Sequence, residues 1–167
     1  MGTPIHIAAA TPDDYEWCAH VMAASEPWIT LGRDLTACRA ALARPGTELF
    51  VARDLAAPDI TEGDQERSSG FILVAPYGLA GSPYIASIAV ADDARGQGMG
   101  SELLRFAEQH FAGRKHLFLL VSSFNVRAEQ FYRRHGYELV GELKDYIVQG
   151  QSELILHKTL PPEKLEP

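Results

Sequence analysis

The chain has 167 residues, 46% hydrophobic and 22% charged, which suits one globular domain able to bury a core. Its net charge of −7 and pI near 5.3 exclude a chain built around a basic stripe for nucleic acid. No apolar run approaches the roughly 20 residues of a membrane span, and Cys18 and Cys38 are too few for a disulfide scaffold. The opening segment has no cationic head followed by a long apolar stretch, so a cytoplasmic protein is expected. Residues 1–160 read as a single domain and 161–167 as a frayed tail.

Ile5 and Ile7, flanking His6, predict a short first strand. Thr11-Pro12-Asp13-Asp14 predicts a helix start, with a Thr cap, Pro in the first helical position and acids in the first turn. Tyr15, Cys18, Ala19 and Met22 continue it at helical spacing. Residues 25–33 break that helix, and Asp34 caps a second one ending near Pro45 and Gly46. Residues 48–53 read as a strand and 70–75 as its antiparallel partner. Between them 54–67, acidic and polar with Pro58 and Gly63, reads as a loop with no catalytic part.

Residues 76–83 read as a turn region and 84–90 as a strand. A helix over about 98–113 follows, with Met99, Leu103, Phe106 and His110 beside Leu104, Ala107 and Phe111. The continuous apolar character of 116–121 predicts a buried strand. Asn125 is a cap for a helix through His135, stopped by Gly136. Residues 137–143 and 152–160 close the chain as strands. Helices interleaved with a mixed sheet give an α/β layered class.

The most informative stretch is Arg95-Gly96-Gln97-Gly98-Met99-Gly100, between the 84–90 strand and a helix. Its glycines let backbone approach a ligand closely, and the helix start offers unpaired N–H groups for phosphate. An ordinary glycine-rich turn has the same composition. A second pattern is Asn125, Ala128, Phe131-Tyr132 and Gly136-Tyr137. Phe131 and Tyr132 are adjacent, so one is expected in the core and the other at a cleft.

With both motifs in this order, the chain resembles the GNAT superfamily of acyl-CoA-dependent N-acyltransferases. The resemblance implies a mixed central sheet split in a V between the 84–90 and 116–121 strands, with helices on both faces. It implies acetyl-CoA in that split, bound by Ile88, Ala89 and Val90, by Arg95, Gly96, Gln97, Gly98, Met99, Gly100 and Ser101, and by Asn125 and Tyr132. Backbone groups of Ile88 and Val90 would pair with the pantetheine arm, and an N–H near Val90 would polarise the thioester carbonyl. Asn125 either contacts the pantetheine or only caps its helix. Tyr132 takes the place of the family's general acid. It would protonate the departing thiolate after direct amine attack in a ternary complex.

A general base is harder to find. Related enzymes that acetylate ribosomal-protein N-termini carry a Glu where this chain has Leu120. Ser87 and Tyr84 could orient a water instead. Glu26, Trp28, Arg33, Tyr84 and Tyr146 are the expected acceptor-pocket residues, although Trp28 equally suits a plug over the core and Arg33 equally suits a partner such as Asp34. The six histidines have no metal spacing, so no metal is expected. The expected partner is a small-molecule or peptide amine, with no nucleic acid and no membrane, and a homodimer stays open. The rival is a non-catalytic acyl-CoA-binding module on the same fold.

Overall fold

The computed structural model describes residues 5–54 and 67–162. Most of the loop expected over 54–67, and the end of the expected tail at 163–167, lie outside the described residues. The chain runs β1 (Ile5–Ala9), α1 (Pro12–Ala23), α2 (Leu35–Leu42), β2 (Glu48–Asp54), β3 (Arg67–Leu79) and β4 (Ser82–Val90). It continues through α3 (Met99–His110), β5 (His116–Ser122), α4 (Val126–Arg134), β6 (Glu138–Lys144) and β7 (Ser152–Thr159). No described helix is long and apolar enough to cross a membrane.

The start of α1 is locked by its own sequence. Thr11 donates from its backbone N and its hydroxyl to Asp14 Oδ2, at 2.7 and 2.8 Å. Arg53 Nη2 on β2 donates to both oxygens of the same carboxylate, at 2.8 and 2.7 Å. One buried acid thus closes the helix N-terminus and ties it to the sheet.

Seven strands form one sheet in the order β1-β2-β3-β4-β5-β7-β6. All neighbours are antiparallel except β4 and β5, which are parallel and pair only at Tyr84↔Phe118 and Ile85↔Leu119. The β3–β4 register passes from Val74↔Ile85 to Leu73↔Ser87, leaving Ala86 as an extra residue. Such a bulge bends its strand. Beyond it β4 leaves β5, which is the V-shaped split the resemblance implies.

Helices cover both faces. On one, Leu103, Leu104 and Ala107 of α3 pack with Ile72, Ile85, Leu119 and Leu156, joined by Tyr132 of α4. On the other, Cys18 and Met22 of α1 and Cys38 and Leu42 of α2 pack with Val51, Phe71 and Leu73.

One expectation is corrected. Residues 76–83 are not an extended turn region, because β3 runs to Leu79 and β4 begins at Ser82. Ala80 and Gly81, with φ of 49° and 74°, make the whole connection, a two-residue turn with both residues left-handed. Pro76 fits because the ladder is already interrupted between Ala75 and Leu79, so its missing N–H breaks no pair.

Candidate active site

The split exposes backbone that an ordinary sheet would pair. Ala91 N donates to Ser69 O at 2.9 Å, so alternation along the strand turns the N–H and C=O groups of Ile88 and Val90 away from β3. They face the gap where β5 has departed. The gap opens into a cavity of about 760 Å³. Ile88, Ala89 and Val90 form one wall, and the turn after α1 (Ser25, Glu26, Ile29) forms a second. The glycine loop with the start of α3 lies at one side, and α4 closes the other.

The loop is shaped by backbone that only glycine adopts easily. Gly96 and Gly98 have φ of +76° and +82°, and a Cβ on either would meet nothing within 4 Å. Gly98 caps α3 without any side-chain hydrogen bond. The first backbone bond of that turn runs from Glu102 N to Gly98 O at 3.1 Å. The N–H groups of Met99, Gly100 and Ser101 therefore have no intrahelical acceptor. At Gly100 a Cβ would lie 3.3 Å from Phe131 Cζ, so any side chain there would press on the α4 ring.

Arg95 pairs with Asp92 at 3.0 Å and donates to Val90 O at 3.3 Å and Ser25 Oγ at 3.4 Å. It ties the loop to the end of α1 at the cavity rim. Gln97 stands outside the lining, its amide donating to Asp93 O at 3.2 Å. Sequence reasoning missed two cations that do line the cavity, Arg127 and Arg134 of α4. With Phe131 they fall at i, i+4 and i+7, one helical face, and that periodicity was the available signal. Three arginines thus line the cavity against two acids, Glu26 and Asp92, a small positive excess in an acidic chain that favours an anionic occupant.

Asn125 Oδ1 accepts from Ala128 N at 3.3 Å, capping α4, and the residue also lines the cavity. Tyr132 lines the cavity while only 7% exposed. Its hydroxyl has no hydrogen bond among the described residues, and burial pushes its pKa well above the usual phenol value. It is a protonated donor at neutral pH. Phe131 was expected on the opposite side from Tyr132, yet both line the cavity with ring centroids 5.3 Å apart. α4 meets the cavity with its rim, where adjacent positions reach the same space.

Of the remaining expected residues, Glu26 alone lines this cavity. Ser87 donates its hydroxyl to Ala86 O at 2.8 Å and lies outside the lining. Glu26 lines the rim, but its carboxylate accepts from Thr30 N at 3.2 Å and Thr30 Oγ1 at 2.9 Å. Trp28 packs on the α1–α2 core, and Arg33 is exposed away from the lining. Tyr146 projects from the β6–β7 turn, 64% exposed. Cys18 and Cys38 are fully buried; burial, then the Asp14 charge, raises the Cys18 thiol to about 12. Neither is a nucleophile.

Tyr84 points to a second group of residues on the sheet face opposite α3. Burial and then the charge of Glu153 push its phenol up to about 12, and Arg44 and Tyr146 also act on it. Tyr84 in turn acts on Tyr132 across the split. Glu153, on β7, is 6% exposed, and sequence reasoning missed it. Its Oε1 accepts from Ser122 Oγ at 2.7 Å, and Ser122 is its register partner on β5. Burial raises its pKa, and the Ser122 bond lowers it in part. The hint in the sequence was an acid directly before the apolar run Leu154-Ile155-Leu156. Among the described residues no three or more of His, Cys, Asp or Glu converge as a metal site.

Comparison with known proteins agrees with this architecture. The model of the acetyltransferase (GNAT) domain family matches residues 45–139. An uncharacterized N-acetyltransferase of Methanocaldococcus jannaschii is 33% identical over 87 residues, 50% of this chain and 56% of that protein's length. The chain thus matches little more than half of that relative. Arabidopsis thaliana NAA60, solved with a bisubstrate analogue, superposes with a TM-score of 0.74 over 96% of this chain and 100% of its own, at 16% identity. An aminoglycoside 6'-N-acetyltransferase complexed with coenzyme A gives a TM-score of 0.69 over 95% and 98%, at 17% identity. At such identities these two likenesses concern the fold. With more than half of the chain matched by the family model, this protein belongs to the GNAT acetyltransferase family.

Proposed function

We propose that the protein is an N-acetyltransferase that moves an acetyl group from acetyl-CoA to an amine acceptor by direct attack in a ternary complex. The observation that carries this is the split itself: outward-facing backbone at Ile88 and Val90 opens into a cavity floored by Gly98 and Gly100 and closed by Tyr132. The residues fit the group. The free N–H groups of Met99, Gly100 and Ser101 would hold the pyrophosphate, with Arg95, Arg127 and Arg134 adding positive charge. Ile88 and Val90 would pair with the amides of the pantetheine arm as an added strand does. A protein of the same fold has been solved with coenzyme A, which supports the assignment.

Acetyl-CoA supplies the acetyl group activated as a thioester. The chain's part is to hold that carbonyl near the N–H of Val90 and to keep Tyr132 protonated beside the sulfur. The buried thiols argue against a cysteine relay.

The test pairs calorimetry with a thiol assay. Acetyl-CoA should bind the wild type, and a panel of primary amines should accelerate thiol release. Gly98→Val places a branched side chain at φ +82° and in open cavity space, so acetyl-CoA affinity should fall at least tenfold, about 1.4 kcal/mol or more. Unchanged affinity in a folded Gly98→Val variant would remove the loop from the binding site. Binding without any amine-dependent release would leave a non-catalytic module.

A further inference from the structure

The base left open by the sequence has a candidate on the other side of the split. We infer that Glu153 receives the ammonium group of a primary alkylamine acceptor and takes its proton, so that the acceptor enters over the β5–β7 face beside Tyr84. This rests on the acetyltransferase reading and deepens it.

Position comes first. β4 and β5 run parallel and pair at Ile85↔Leu119. Counting on from that register, with Ala86 as the extra residue of the β4 bulge, puts Ser122 level with Ala89 across the gap, and Glu153 pairs with Ser122. Val121 and Leu154 turn toward the α3 core, whereas Ser122 and Glu153 alternate to the opposite face, with Tyr84 and its partner Phe118. α1 and α2 cover that face over β2, β3 and β4, not over β5 and β7. The carboxylate therefore lies one strand behind the edge of the split, joined to that edge by Ser122 and level with the backbone assigned to the pantetheine.

Chemistry comes second. Glu153 is 6% exposed and has one partner, the Ser122 hydroxyl on Oε1. Oε2 has no hydrogen bond among the described residues. Asp54 Oδ1 is the fully buried side-chain polar atom there without a partner, so Oε2 still reaches solvent. The ionisable groups around this site are Tyr84 from β4, Tyr146 from the β6–β7 turn and Arg44 after α2. No cation among the described residues acts on Glu153 itself. A buried carboxylate without a counter-ion destabilises the fold, and a ligand ammonium is the group that would satisfy it. Its raised pKa also makes it a better proton acceptor than an exposed acid.

The step balances. The ammonium gives one proton to Glu153, directly or through a water, and becomes a neutral amine. Its nitrogen attacks the thioester carbonyl carbon, the C–N bond forms and the C–S bond breaks. The second nitrogen proton leaves as the amide forms, while Tyr132 protonates the thiolate and is reprotonated from solvent. Glu153 then releases its proton, so amide, free thiol and one proton result. Ser122 is a positioning residue that orients Oε1.

The probes are n-butylamine, an ammonium ion at pH 7 as lysine is with a pKa of about 10.4, and hydroxylamine, mostly neutral there. With saturating acetyl-CoA the wild type should release thiol with both. Glu153→Gln should lower kcat/KM for butylamine by about 10²-fold, at least tenfold further than for hydroxylamine. Ser122→Ala removes a hydrogen bond that favours the carboxylate, so the acid limb of the butylamine kcat/KM–pH profile should move to higher pH. If Glu153→Gln does not fold, that shift alone decides. Equal losses with the two amines, an unmoved acid limb, or a wild type that uses hydroxylamine but not butylamine would overturn the inference. A wild type that neither binds acetyl-CoA nor releases thiol with either amine would overturn the acetyltransferase reading itself.

Discussion

Tyr132 and Glu153 are both more than nine-tenths buried, yet each keeps an oxygen with no protein partner among the described residues. Neither oxygen is fully buried, since Asp54 Oδ1 is the fully buried side-chain polar atom without a partner among the described residues, so each remains open to a ligand. Their environments push them the same way: burial keeps the phenol protonated and makes the carboxylate more basic. An acid and a base on opposite sides of one split can share a reaction without neutralising each other. Tyr132→Phe keeps the ring in the core and removes only the hydroxyl. It should lower kcat and kcat/KM together by about 10²–10⁴, with acetyl-CoA affinity close to that of the wild type. Wild-type turnover under conditions where chemistry limits would make Tyr132 a packing residue.

Among the elements, α1 depends on one acid. Asp14 closes the helix start through Thr11 and holds Arg53 of β2. Burial raises its pKa, but the Thr11 hydrogen bonds and Arg53 together outweigh this and lower it below 3.8. A lowered carboxyl pKa gives stability that is present above the unfolded value and is lost as pH falls through the folded one. Asp14→Asn should therefore destabilise by about 3 kcal/mol at pH 7, a fall in Tm of roughly 6–12 °C, and the deficit should shrink as pH drops below 3.8. A deficit equal at pH 7 and pH 3 would mean that shape rather than charge matters at this position.

The elements were mostly legible because their local chemistry is explicit. Thr11-Pro12-Asp13-Asp14, Asp34 and Asn125 each mark a helix start, and the structure begins helices at Pro12, Leu35 and Val126. The Ala80-Gly81 turn was not legible, since alanine seldom takes the left-handed conformation that this turn requires. The glycine loop was legible through Gly96, Gly98 and Gly100, whose spacing survives without tertiary information. Glu153 was not, because its burial and its place beside Ser122 depend on β7 entering between β5 and β6. Pairing of that kind is set by the whole sheet. Trp28 was ambiguous for a similar reason: only the packing of α1 on α2 decides which side of the 25–33 segment faces inward.

On the scale of the whole molecule, two cores on either side of one sheet hold its two halves at a fixed opening. The α3 core spans β3, β4, β5 and β7, and so braces the strands that part. The α1–α2 core holds the segment bearing Ser25 and Glu26 over one wall of the cavity. The net charge of −7 contrasts with a cavity lining that holds three arginines and two acids, an arrangement that draws a phosphate-bearing ligand to the cleft and an ammonium ion to the rest. Acetyl transfer within a ternary complex is the central claim, and it can be read from two masses in one sample. The protein is incubated with acetyl-CoA and n-butylamine, and both the amine and the intact chain are followed by mass spectrometry. N-acetylbutylamine should accumulate with time and with protein concentration, while the chain never carries an acetyl group. An acetylated chain formed before the product, or tight acetyl-CoA binding with no acetylated amine, would contradict the account.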